Sequence, residues 1–176
     1  MHIVKPPYFL VLAALPLLGC APAEVVLCPS ASVLSDTATV SVFRAGAPHD
    51  LSGEAYSAGI AGVTTACHYT KGAELIPTDV AFTVQAVRAP GADRADYKLP
   101  YYVAVTQGDR ILSKKTYSLD ISFASGSAST QRTITLDTTV INLEEGHPAT
   151  DYQVLVGFQL SDADRAYNQT RRRFAP

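Results

Sequence analysis

Apolar and polar residues alternate with a period of two over several stretches of this chain, the spacing that sends successive side chains to opposite faces of a strand. Tyr117, Leu119, Ile121 and Phe123 alternate with Ser118, Asp120 and Ser122. This predicts a strand with an apolar inner face and a wet outer one. Val80, Phe82, Val84 and Ala86 alternate in the same way with Ala81, Thr83, Gln85 and Val87. A third set, Tyr152, Val154, Val156, Phe158 and Leu160, has Leu155 and Gly157 between its members. Little in that stretch wants water, so it is expected to be an interior strand with Phe158 deeply buried. Between Thr133 and Leu143 the phase slips: Ile134, Leu136, Thr138 and Val140 share one parity, Ile141 and Leu143 the other. A bulge or a strand end is expected near Val140 and Ile141.

The remaining elements rest on turn residues as much as on alternation. Thr37 to Phe43 reads as a first strand, and Glu54 to Ile60 with Val63 to Tyr69 reads as a hairpin around Ala61-Gly62. Pro100 opens a strand over Tyr101 to Thr106, with one of Tyr101 and Tyr102 expected in the core and the other exposed. Gln107-Gly108-Asp109 fits a three-residue hairpin loop leading into Arg110 to Ser113. Arg88 to Asp96, Ala124 to Ser129 and Glu144 to Pro148 read as loops. Ser161, three residues before Asp164, predicts the cap of a short helix from Asp162 to about Asn168. Together these predict an all-β domain over residues 28–170, an antiparallel β-sandwich of immunoglobulin or fibronectin-like shape with a short C-terminal helix. The chain has no Trp, so the Cys-Trp-Cys signature of true immunoglobulin domains is absent and the strand order stays open.

Composition agrees with strands and excludes disorder. Nine Tyr and six Phe are present, and only 17% of residues are charged, too few for a solvated coil. The formal charge is −2. With no basic face to meet phosphates, nucleic acid is not an expected partner.

The N-terminus has a different pattern. Lys5 precedes an apolar run from Tyr8 to Leu18, which is interrupted by Pro16 and is shorter than the roughly 20 residues a membrane-spanning helix needs. Leu17, Gly19 and Cys20 directly after that run resemble the lipobox of bacterial lipoproteins. The resemblance implies a signal peptide over residues 1–19, acylation of Cys20, and a tether over residues 20–27. Several acyl chains would make attachment to the bilayer stable. Ala21 stands where Asp would suggest retention in the inner membrane, so the resemblance favours the periplasmic face of the outer membrane. The rival is a secretory signal cut after Ala21-Pro22-Ala23, which would release a soluble periplasmic protein.

Either cut removes Cys20 from the thiol count and leaves Cys28 and Cys67. In an oxidising compartment the pair is expected to form a disulfide. Closing a loop of about 40 residues would stabilise the fold by roughly 4 kcal/mol in the chain-entropy model.

Catalytic signals are lacking. His49, His68 and His147 share no motif, and no nucleophile elbow, phosphate loop or dinucleotide fingerprint occurs. Asp162 and Asp164 lack the Gly and the closing Glu of a calcium loop, and capping explains them. No catalytic residue, cofactor site or metal site is therefore assigned. Lys114-Lys115 and the basic tail over residues 171–176, with Arg171, Arg172 and Arg173, read as solvated charge or as contacts to anionic head groups.

The lipobox, Cys28-Pro29, the run from Pro100 to Val105, Ile111 to Lys114, and Tyr152 to Leu160 followed by Tyr167-Asn168 together resemble a group of uncharacterised proteobacterial lipoproteins. That likeness implies location and approximate fold, and no activity. The expectation is a lipid-anchored, non-enzymatic envelope module holding a protein partner; a periplasmic binder of a small molecule or metal is the alternative.

Overall fold

The computed structural model describes residues 27–69, 72–90 and 92–171. Cys20, the leader, most of the tether and residues 172–176 of the basic tail lie outside them. One sheet has the order β1 (Ser30–Val33), β8 (Tyr152–Phe158), β5 (Ala95–Gln107), β6 (Arg110–Phe123). The other has the order β2 (Thr39–Phe43), β3 (Glu54–Cys67), β4 (Leu75–Val87), β7 (Ser129–Asn142). Helix α1 (Asp162–Arg171) follows β8. The all-β sandwich expected from alternation is what forms.

The core lies between the inward parities of the two sheets. Tyr101, Val103, Val105, Ile121, Phe123, Val154, Val156 and Phe158 face Tyr56, Ile76, Val80, Phe82 and Val84. Phe158 is fully buried and β8 lies between β1 and β5, an interior strand as its two apolar faces required.

Six strands form the runs β3-β4-β7 and β6-β5-β8, and the first two strands are each added at an edge of a sheet. β1 takes the place beside β8 and runs parallel to it, and β2 is added outside β3. The purely antiparallel expectation therefore fails at this one pairing. A strand of only Ser30-Ala-Ser-Val33 carries too little alternation to be read from sequence.

Several local expectations are corrected. Ala61-Gly62 does not reverse the chain: Ser57–Ala61 and Thr64–Cys67 both pair with β4, so Glu54–Cys67 is one strand with a bulge, and Gly62 supplies the positive φ of 63°. The phase slip in β7 falls between Leu136 and Thr139, ahead of Val140, which points outward and is 54% exposed. The β5–β6 turn is two residues, Gly108-Asp109, between the paired Gln107 and Arg110. Pro100 lies inside β5 and not at its start. Its missing N–H would face the β8 side, where that strand has ended at the partner of Tyr101 and only Gln159 remains to donate to the Pro100 carbonyl.

Helix α1 covers the outer edge of β2. Asn168 Nδ2 donates to the Thr39 carbonyl at 2.8 Å, and Tyr167 meets Phe43 edge-on. The helix begins with the expected cap: the Asp164 amide donates to Ser161 Oγ at 3.1 Å, and the Ser161 amide donates back to Asp164 Oδ2 at 3.2 Å. It runs to Arg171, one turn beyond expectation.

Candidate functional site

The strands give the sandwich two ends. At one end β3 finishes, β1, β4, β6 and β8 begin, and the described part of the chain enters. Cys28 and Cys67 form the expected disulfide there, with Cα atoms 5.6 Å apart. Two hydrogen bonds reinforce it: Tyr69 Oη donates to the Leu27 carbonyl at 2.7 Å and Thr65 Oγ1 to the Pro29 carbonyl at 2.7 Å. The entering segment is thus fixed to β3 before β1 starts.

Loops following β3 and β7 enclose an open cavity of about 540 Å³ at the same end, lined by Tyr69, Glu74, Leu143, Glu145, His147 and Pro148 among others. Local chemistry shapes this wall. The Leu143 amide donates to the Glu74 carbonyl at 2.7 Å, joining the two loops. Gly146 turns the chain with a φ of 81° while the His147 amide donates to the Glu144 carbonyl. Buried Tyr152 accepts from the Glu144 amide at 2.7 Å and from Gln107 Nε2 at 3.3 Å, so its phenol holds the loop and the β5 terminus together. Arg110 is ion-paired with Glu144, and His147 Nδ1 lies 2.9 Å from Asp151 Oδ2. Both pairs are about half exposed and contribute little to stability.

The opposite end is closed by a residue whose role the sequence did not show. Arg88 falls in a segment whose turn residues predict an exposed loop, yet its guanidinium lies 4.6 Å from the Phe123 ring centroid and donates to the carbonyls of Ala92, Asp93, Ala124 and Ser127. Its donors are used on backbone, which makes it a pin between two loops.

The three described histidines are not brought together by any shared motif: His147 is at the cavity, His49 stacks on Phe43 at 4.4 Å, and His68 follows the disulfide cysteine. Among the described residues no group of three or more His, Cys, Asp or Glu could hold a metal ion. Asp50 and Asp96 both have lowered pKa values, through the Ser52 hydroxyl and the Ser122 hydroxyl respectively. Each lies in the open and is tied to its own turn or ladder. Lys114 Nζ sits over the Tyr102 ring at 4.3 Å, and Lys115 is exposed. No described helix is long and apolar enough to cross a membrane.

Comparison with known proteins finds no matching family model, no matching curated protein and no matching solved structure.

Proposed function

We propose that this chain is a lipid-anchored cell-envelope protein, acylated on Cys20 and held at the periplasmic face of the outer membrane, whose sandwich serves as a non-enzymatic interaction module. The observation that carries the reading is the division of the three cysteines. Cys20 follows Leu17 and Gly19 in a lipobox, while Cys28 and Cys67 are joined to each other. A structural disulfide suits an oxidising compartment outside the cytoplasm, the one to which such a leader would deliver the chain. The resemblance to proteobacterial lipoproteins supports the same location. Its test is metabolic labelling with a fatty-acid analogue: wild type should incorporate label and Cys20→Ala should not. Equal labelling would leave the secretory reading, a soluble periplasmic protein.

A second reading, a periplasmic binder of a small molecule, is favoured by the cavity of about 540 Å³ beside the disulfide. A ligand held there raises the melting temperature with its concentration. Screening small cations and polar metabolites for such a rise separates the two readings.

A further inference from the structure

We propose that the end bearing the Cys28–Cys67 disulfide is the face this domain lays on the bilayer, where Leu27, Leu75, Ile111 and Val140 enter the head-group region of a zwitterionic leaflet. The inference rests on the reading of Cys20 as the lipidated residue and adds an orientation and a contact to it.

The first support is where the chain leaves the body. Seven residues separate Cys20 from Cys28. A segment of that length reaches at most about 25 Å. Leu27 and Cys28 are fixed to the end of β3 by the disulfide and the Tyr69 hydrogen bond. A lipid on Cys20 therefore holds this end, rather than the far one, at the membrane surface.

The second support is what that end exposes. Leu27, Leu75, Ile111 and Val140 are 58%, 55%, 64% and 54% exposed. They come from four separate segments and stand around this end rather than in one patch: Leu75 and Val140 point out of the β2-β3-β4-β7 sheet, and Ile111, opposite Thr106, points out of the other. Leu75 opens β4 opposite Asn142, and Val140 lies opposite Pro77. Ile111 follows Arg110, whose ion pair with Glu144 fixes the start of β6 beside the loop after β7. Single apolar side chains bind an interface weakly, but a tether converts contact into an intramolecular event at high effective concentration. Weak contacts then suffice to select one orientation.

Charge specifies the leaflet. Glu74, Asp109, Glu144 and Glu145 lie in the loops and strand ends of this end and Arg110 is engaged by Glu144, while Lys114 and Lys115 stand further along β6, with Lys114 over the Tyr102 ring, so acidic groups predominate at the end itself. An anionic surface would be repelled and a zwitterionic one tolerated. The far end also exposes Leu51 and Val87, at 64% and 53%, and so provides matched controls.

The test uses the mature lipidated protein, with its disulfide intact, in phosphatidylcholine vesicles. An environment-sensitive fluorophore is attached to Leu75→Cys, Ile111→Cys, Leu51→Cys or Val87→Cys, all exposed positions. Labels at 75 and 111 should shift to the blue and be quenched by lipid-borne quenchers, those at 51 and 87 should do neither, and phosphatidylglycerol should weaken the effect. Equal behaviour at both ends, protection of 51 and 87, or labels at 75 and 111 that stay in water would overturn the proposal, the last of these leaving that end as a protein contact. Mass analysis of the same sample reports whether Cys20 is acylated. A second arm, in which a histidine tag at position 20 binds a chelating lipid, tests the orientation even if the native acylation reading fails.

Discussion

The two faces of the β1-β8-β5-β6 sheet are built on different principles. On the inner face, Tyr101, Val103, Val105, Val154, Val156 and Phe158 meet the opposite sheet as a layer of large side chains. On the outer face, Tyr102, Ala104, Thr106 and Gly157 are also buried, but no second sheet covers them. The 3-10 turn Ser35–Thr37, which carries the chain from β1 to β2, brings Thr37 over Gly157, and the Tyr102 hydroxyl reaches Thr37 Oγ1 at 2.9 Å. Large side chains meeting side chains bury the inner face. Close approach of a crossing segment over a glycine covers Gly157 and the Tyr102 hydroxyl on the outer one.

Removing a ring from the inner face should have the largest effect. Phe158→Ala deletes a fully buried side chain and is expected to cost about 3 to 5 kcal/mol in urea unfolding, through lost burial and a residual cavity. A loss under about 1 kcal/mol would mean that the inner layer is not closed at that point.

The interior between the two sheets should also respond to alkali. Burial, with Tyr97 nearby as a second cause, pushes the Tyr56 phenol up to about 12 from an ordinary value of 10.0, and burial followed by the neighbouring Tyr117 raises Tyr101. A phenol that keeps its proton longer when folded contributes fully below the unfolded pKa. Its contribution is lost as the pH rises from about 10 towards 12. For Tyr56 the loss should be on the order of 2 to 3 kcal/mol. Urea midpoints measured from about pH 8 to about pH 11 should fall above about pH 10, and less steeply in Tyr56→Phe; an unchanged slope in that variant would assign the alkaline loss elsewhere.

How much of this was legible follows from the same contrast. Alternation identifies residues that leave a strand toward a core, so Phe123, Val84 and Phe158 could be placed from sequence alone. It also assigned one of Tyr101 and Tyr102 to solvent, whereas both are buried, at 4% and 6% exposed. Tyr102 meets Thr37, 65 positions away, at its hydroxyl and Lys114 over its ring, and no local pattern carries that information. Gly62 failed for a related reason: a glycine with positive φ serves a hairpin or a bulge equally, and only the shared partner β4 decides. The disulfide was legible because counting cysteines is independent of fold. The cavity beside it was not, since its walls come from loops after β3 and β7.

On the outer face, Gly157→Ala tests whether close approach is what matters. An added Cβ would lie 2.1 Å from Thr37 Oγ1 and 2.7 Å from the Tyr102 hydroxyl. Both must give way, at an expected cost of about 1 to 3 kcal/mol. The same change should be eased in a Thr37→Gly background, because the nearer atom is then gone. Equal cost in both backgrounds would show that the crossing turn is not what limits position 157.

The smallest effect expected is that of Tyr102→Phe, and its size relative to Thr37→Val reveals which hydroxyl donates. Thr37 Oγ1 lies 3.2 Å from the Leu34 carbonyl and 2.9 Å from Tyr102 Oη. A hydroxyl has one proton. The carbonyl can only accept, so Thr37 gives its proton to Leu34 and Tyr102 must donate to Thr37. Tyr102→Phe then removes one neutral hydrogen bond and leaves Thr37 still donating, for a cost of about 0.5 to 1.5 kcal/mol. Thr37→Val instead leaves the Tyr102 proton buried without its acceptor and removes the hydroxyl's bond to the Leu34 carbonyl, which keeps only the Thr37 amide, so it should cost more than Tyr102→Phe. Adding Tyr102→Phe to Thr37→Val should then restore part of the loss, because the stranded phenol proton is gone. Urea unfolding of the two single variants and the double variant measures all three quantities. Were Tyr102→Phe the costlier single change, the proton would run the other way, and the Leu34 carbonyl would not be what orients Thr37.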